Sequence, residues 1–186
     1  MRPPPPLVLG TFYACSEIIL GIVRQSKSVD RSRDRYSLTI LWTVITVAIA
    51  GSIAAANNLR SAAFPHPWLS WIGLTLFAAG ILLRWYSIIH LGHFFTVDVS
   101  IAADHKVIDS GPYQVVRHPS YSGALLAFVG YGLCLRNWAA FLIVVIPITA
   151  AFLWRIHVEE RALTETLGDD YRRYADRTKR LIPFVY

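Results

Sequence analysis

Charge is scarce in this chain. Asp, Glu, Lys and Arg make up 16% of its 186 residues, against roughly 25% in soluble domains. Cysteine is scarcer still. Cys15 and Cys134 are the only two, and both lie in apolar stretches. That excludes a disulfide framework, and neither has a His or Cys neighbour at metal-ligand spacing. No G-x-G-x-x-G or P-loop occurs, so any cofactor site is neither a Rossmann nor a P-loop site. Internal repeats are absent, and low complexity is confined to Pro3–Pro6.

Apolar sequence is abundant. Hydrophobic residues reach 54%, with six Trp and nine Tyr, and the mean hydropathy is +0.43. Such aromatics suit the belts that mark membrane boundaries. The net charge of +6 would suggest nucleic acid in a soluble domain. Here the basic residues cluster between apolar runs and act as topology signals, so no nucleic-acid partner is expected.

Five apolar segments stand out, at about 7–23, 38–56, 68–89, 120–135 and 138–154. A spanning helix needs roughly 20 residues. Only Arg136 and Asn137 separate the last two, which read as a helical hairpin, with Pro147 as a kink in its second arm. Glu17 in the first segment argues for a retained membrane helix rather than a cleaved leader. The expectation is an all-α polytopic membrane protein with five transmembrane helices.

Lys and Arg set the orientation. Arg24, Lys27, Arg31, Arg33 and Arg35 crowd the first loop, whereas the second carries only Arg60 and the hairpin turn only Arg136. The C-terminal tail holds Arg161, Arg172, Arg173, Arg177, Lys179 and Arg180. The N-terminus is therefore expected outside, and the first loop, segment 90–119 and the tail on the cytoplasmic side. A bacterial inner membrane is the expected setting.

The polar chemistry collects on that side. Segment 90–119 reads as an ordered loop with short extended pieces and a turn at Gly111–Pro112. His90, His93, His105 and His118 are scattered without a Cys, and no metal is expected. Pro119 forces His118 out of helical geometry and fits the first turn of a helix. The fourth helix should start there, with free N–H groups that attract an anion beside Arg117 and His118.

The fifth helix should run past the bilayer through "RIHVEERALTETLG", with Gly168 as its cap and Asp169 capping a short last helix. Arg155 and Glu159 lie four apart on one face, and Glu160 about 100° round the axis. Glu17 and Arg84 lie inside apolar segments, where charges pair or line a cavity. The residues alone leave both readings open for that pair. They also leave "RHPSY" open as a ligand site or as an inert boundary turn.

The ordered stretches "HKVIDSGPYQVVRHPSYSG", "RIHVEERALTETLGDDYRRY" and "RLIPF" resemble the isoprenylcysteine carboxyl methyltransferase family over roughly 90–184. The resemblance implies a single membrane methyltransferase domain over 1–186. Residues 1–66 would form an N-terminal two-helix part, and 67–186 the catalytic part with loop 90–119 and C-terminal helices 155–180. It implies S-adenosylmethionine in a pocket on the cytoplasmic side and methyl transfer to a lipidic carboxylate such as that of a prenylated cysteine.

By that resemblance His105, Lys106, Val107 and Ile108 form part of the cofactor wall, and Tyr113 packs on it. His118, Pro119, Ser120 and Tyr121 hold its polar groups. Glu159 binds it from the last long helix, Asp98 occupies a further contact position, and Arg155 orients the acceptor carboxylate. The acceptor would enter from the bilayer, with membrane lipids as neighbours. Oligomeric state is not legible.

Phospholipid N-methyltransferases share this architecture, and so, more distantly, do sterol reductases that use NADPH. With an amine acceptor, Glu159 or Glu160 would serve as base. A non-enzymatic carrier or assembly factor is the alternative of another class. The orientation is directly testable. A cysteine at Ser28 should react with impermeant maleimide only from the cytoplasmic side, and labelling from outside would reverse the topology.

Overall fold

In the computed structural model, residues 4–23, 35–64, 66–92 and 107–186 are described. Among them the chain is helical, with two isolated bridge pairs and no strand. Helices α1 (Pro6–Val23), α2 (Arg35–Asn58), α3 (Leu69–Leu91), α4 (Pro119–Cys134), α5 (Trp138–Leu167) and α6 (Asp169–Arg177) follow in order. Short 3-10 turns occupy Arg60–Ala62 and Gly111–Gln114.

Three helices are long and apolar enough to cross a membrane, over Tyr36–Asn58, Leu69–Leu91 and Trp138–Leu167. Helices α1 and α4 fall short of that measure. At 16 residues α4 is about 24 Å long, against about 30 Å of hydrocarbon. It is also the helix least in need of a lipid-facing surface. Ala124, Ala127, Phe128, Tyr131 and Cys134 are all buried, and its neighbours are α3, α5 and α1.

The tightest pairing is α3 on α4, and glycine makes it possible. A methyl group on Gly123 would sit 2.6 Å from Arg84 N and 2.7 Å from Gly80 O. One on Gly73 would sit 2.6 Å from Gly130 O. These neighbours are backbone atoms of a facing helix and cannot swing aside. In a membrane, where apolar burial does not drive helices together, such small-residue contacts supply the packing. Helix α2 packs mainly on α5 and α1 mainly on α4, which leaves a seam between α1 and α2.

Two tight turns set the hairpin and the tail. Arg136 takes φ 55°. Asn137 then caps α5, its Oδ1 accepting from Ala140 N at 3.0 Å, while its Nδ2 donates to Leu59 O at 2.7 Å. Pro147 lies inside an uninterrupted α5. Gly168, at φ 57°, ends α5 and is also the cap of α6. The sequence expectation that Asp169 caps α6 is corrected here. Asp169 is the first helical residue and pairs with Arg172 at 3.1 Å, because one left-handed glycine serves both helix ends.

Gly80→Ala should lower the melting temperature in micelles, by a loss of about 1–3 kcal/mol or more for overpacking. Melting at the wild-type temperature would contradict the close α3–α4 contact.

Candidate active site

The site begins where α4 does. Pro119 is the first helical residue and His118 its cap, as the sequence expects. The chain just before the helix is tied to the tail. Arg117 N donates to Lys179 O at 2.7 Å, and His118 N donates to Arg180 O at 3.0 Å. Ser122 Oγ donates to Leu181 O at 2.6 Å. The tail after α6 thus folds back as a strap along residues 115–122.

Glu160 ties the strap to α5. Its Oε1 accepts from Arg117 Nε at 2.8 Å and meets His118 Nε2 at 3.3 Å. Its Oε2 accepts from Arg180 Nε at 2.8 Å. Arg117 further donates through Nη1 to the carbonyls of Ala175 and Thr178, at 2.7 and 2.6 Å. One carboxylate therefore joins α5, the start of α4 and the tail. The hydrogen bond to Glu160 raises the Arg180 pKa above its ordinary value.

Glu159 has different surroundings. Its Oε2 is buried and has no hydrogen-bond partner among the described residues. His118 Nδ1 lies 3.8 Å away, beyond hydrogen-bonding distance. A buried carboxylate oxygen without a donor is costly, and this one is able to accept a further hydrogen bond. The Tyr121 hydroxyl lies within reach of both Glu159 and Arg155. The Tyr121 ring stacks on His118, with centroids 5.6 Å apart and planes 11° from parallel.

Tyr113 closes the same region from the loop. It is buried in the Gly111–Gln114 turn, and its hydroxyl donates to Ser87 O at 3.3 Å. Its carbonyl accepts from Tyr174 Oη at 2.8 Å, and its ring stacks on His90. Gly111, at φ 56°, lies flat against the His90 ring, where a side chain would collide. Burial, with the nearby Glu159 carboxylate, pushes the Tyr113 phenol above its ordinary pKa and keeps it a donor. Val107 and Ile108 lead into this turn half-buried. Asp98, His105 and Lys106, expected in the cofactor wall, lie outside the described residues, as does His93.

Arg155 sits one turn below Glu159 and is 2% exposed. Its Nη1 donates to Ser37 Oγ on α2. It also lines a narrow cavity of about 30 Å³, with Tyr13, Glu17, Arg84 and Tyr121 as the other polar walls. Leu38, Leu41, Trp42, Ile45 and Phe152 supply the apolar walls. Such a volume holds little more than one water.

Glu17 and Arg84 form the expected pair, with Arg84 Nε to Glu17 Oε1 at 2.5 Å and Nη2 to Oε2 at 2.6 Å. Arg84 Nη1 also donates to Ser120 O at 3.3 Å. The open question about this pair is answered by its position, since it is both a buried bidentate bond and a wall of the cavity that Arg155 lines. A wider groove of about 480 Å³ runs along the outer face of α2 and shares Leu38 and Trp42 with the inner cavity.

Sequence reasoning gave Glu160 only as a possible base, yet it is the carboxylate that organises the site. Arg180 and Ser37 were missed altogether. The one local signal was the Glu159–Glu160 doublet, whose members point about 100° apart. Nothing local shows which cations the second one meets.

Known proteins resemble the chain over most of its length. Residues 68–170 match the family model described as Phospholipid methyltransferase. Protein-S-isoprenylcysteine O-methyltransferase B of Arabidopsis thaliana is 33% identical over 181 residues, which cover 94% of this chain and 89% of that protein. The Protein-S-isoprenylcysteine O-methyltransferase of Schizosaccharomyces pombe is 26% identical over 159 residues, 81% of this chain and 67% of that protein. A solved structure, described as the eukaryotic intramembrane Ras methyltransferase isoprenylcysteine carboxyl methyltransferase, superposes with a TM-score of 0.66 at 28% identity. It covers 77% of this chain, which spans about half the length of that protein, 52%. By these relatives the chain belongs to the isoprenylcysteine carboxyl methyltransferase family of integral membrane proteins.

Proposed function

We propose that the chain transfers a methyl group from S-adenosylmethionine to the carboxylate of a prenylated cysteine or a similar lipidic acid at the membrane surface. The single observation that carries this reading is the vertical order of charges on α5. Arg155 is buried beside an apolar cavity, and the unpartnered oxygen of Glu159 lies one turn further out.

The residues fit the cofactor. Glu159 suits its amino and sulfonium groups, and Tyr113, His118 and Tyr121 lie near that carboxylate, with Ser120 as a further polar contact on this reading. Val107 and Ile108 would extend the wall, and Pro119 sets the helix start. When bound, S-adenosylmethionine supplies a methyl group on a positively charged sulfur. Arg155 would hold the acceptor carboxylate through its planar fork of donors. A carboxylate is already ionised at pH 7, so no base is required. The chain's contribution is positioning and exclusion of water.

The acceptor's tail would enter from the bilayer through the seam between α1 and α2. The outer groove on α2 meets the inner cavity at Leu38 and Trp42, and the cavity would widen as the tail enters. On this reading all five apolar helices cross the membrane, the N-terminus is outside, and the pocket opens to the cytoplasm. The relatives named above are eukaryotic, which favours an internal membrane such as the endoplasmic reticulum over the bacterial inner membrane expected from the sequence.

Amine methylation is the second reading, favoured by the description of the matching family model. It needs a base, and of the Glu159–Glu160 doublet Glu159 is the freer carboxylate among the described residues, because Glu160 is held by Arg117, His118 and Arg180.

Calorimetry with S-adenosylhomocysteine separates the two carboxylates. Glu159→Gln should stay folded and weaken binding about tenfold or more, a loss of at least about 1.4 kcal/mol. Glu160→Gln should instead lower the melting temperature, because the guanidiniums of Arg117 and Arg180 lose their carboxylate partner. Arg155→Ala should leave binding of this probe unchanged and raise KM for the acceptor. Wild-type affinity in Glu159→Gln, or no binding at all by the wild type, would contradict the proposal.

A further inference from the structure

The last six residues form a turn that meets the site only through Tyr186, whose hydroxyl accepts from Arg180 Nη1 at 3.2 Å. After Leu181, which is buried, the chain closes a compact turn. Leu181 N and Ile182 N both donate to Tyr186 O, at 2.7 and 2.8 Å, and Val185 N donates to Ile182 O at 3.1 Å. The turn is ordered by its own backbone, yet its apolar side chains face outward. Ile182 is 55% exposed, Val185 72% and Phe184 91%.

Phe184 also holds φ 64°. That conformation suits glycine and is strained for an aromatic residue. A soluble turn gains nothing from an exposed ring on a strained backbone.

The turn's position suggests what the ring meets. Leu181 O accepts from Ser122 Oγ, one turn into α4. The turn therefore lies level with the first apolar turn of that helix, where polar chain gives way to membrane. Immediately before it, Lys179 is exposed and makes no ion pair among the described residues. Arg172 and Arg173 are exposed on α6, each paired only with a neighbouring exposed Asp. Exposed pairs of this kind are weak and leave both arginines able to meet phosphates.

We propose that Ile182–Val185 is an interfacial anchor. Phe184, with Ile182 and Val185, inserts at the boundary between headgroups and acyl chains of the bilayer that holds the helices. Lys179, Arg172 and Arg173 meet anionic headgroups above it. Aromatic rings favour this layer, and each basic side chain at an anionic surface strengthens binding about fivefold. The same strap carries the carbonyls that receive Arg117 N and His118 N, and it carries Arg180. Docking would thus hold the strap against Glu160, whatever chemistry the site performs.

The test uses the full chain in nanodiscs of phosphatidylcholine with or without phosphatidylglycerol. A photoreactive benzoylphenylalanine at position 184 should form adducts mainly with lipid, in higher yield when phosphatidylglycerol is present. Adducts mainly with protein, including a second copy of this chain, would overturn the proposal, as would none. Equal yields in the two lipids would overturn its anionic part.

Phe184→Gly provides the second arm, since it removes the ring and suits the backbone. It should keep its melting temperature in detergent. In anionic nanodiscs, trypsin should release the peptide after Arg180 about tenfold or more faster than from wild type, as loss of a buried ring implies. An unchanged release rate would overturn the anchor.

Discussion

Glu160 is the interaction on which the site depends. It is one carboxylate at the emerging end of α5, and it binds Arg117, His118 and Arg180 together. Those three residues come from two distant stretches of chain. Without the carboxylate, the guanidiniums of Arg117 and Arg180 would face each other with their charges uncompensated. With it, the strap lies on residues 115–122, His118 is fixed as the cap of α4, and its ring stacks on Tyr121. Glu159 is then the neighbour whose Oε2 has no donor among the described residues. Two adjacent residues of one type take different roles because the helix points them in different directions.

The membrane part supplies rigidity and an apolar chamber. Helices α3 and α4 approach at backbone distance through glycines, so α4 need not be long. It is a short inner helix with lipid-facing neighbours around it. The buried Glu17–Arg84 pair would be costly if either partner stood alone. Bonded bidentately, it forms a neutral polar wall opposite the apolar side of the cavity. Arg84 also holds Ser120 O, so the wall is connected to the start of α4. The cavity and the Glu160 cluster therefore share a frame, with Tyr121 and Arg155 between them.

Much of the frame was legible in the sequence because apolar length and helix-breaking residues act locally. Pro119 fixed the start of α4, Gly168 the end of α5, and Arg136–Asn137 the hairpin. The pairing of Glu17 with Arg84 was legible too, since two charges inside apolar runs have few other partners. The role of Glu160 was not. It depends on a tail that returns some 20 residues later in the chain to lie beside α4, and no local period encodes that return. The strap was not legible for the same reason, because the carbonyls of residues 179 and 180 accept from Arg117 N and His118 N, just before the helix. Asp169 was assigned a capping role that a left-handed glycine fills instead.

The proposed chemistry rests on Arg155 facing an anionic acceptor. An acid and an amine give products of different stability, because a methyl ester is cleaved by mild alkali and an N-methyl group is not. The most direct measurement supplies the purified chain with S-adenosylmethionine labelled on its methyl group. The two acceptors are farnesylated cysteine with a blocked amine and phosphatidylethanolamine. The account predicts label on the farnesylated acid, released as methanol by alkali, and loss of that transfer in Arg155→Ala. Alkali-stable label on phosphatidylethanolamine, with none on the acid, would contradict it.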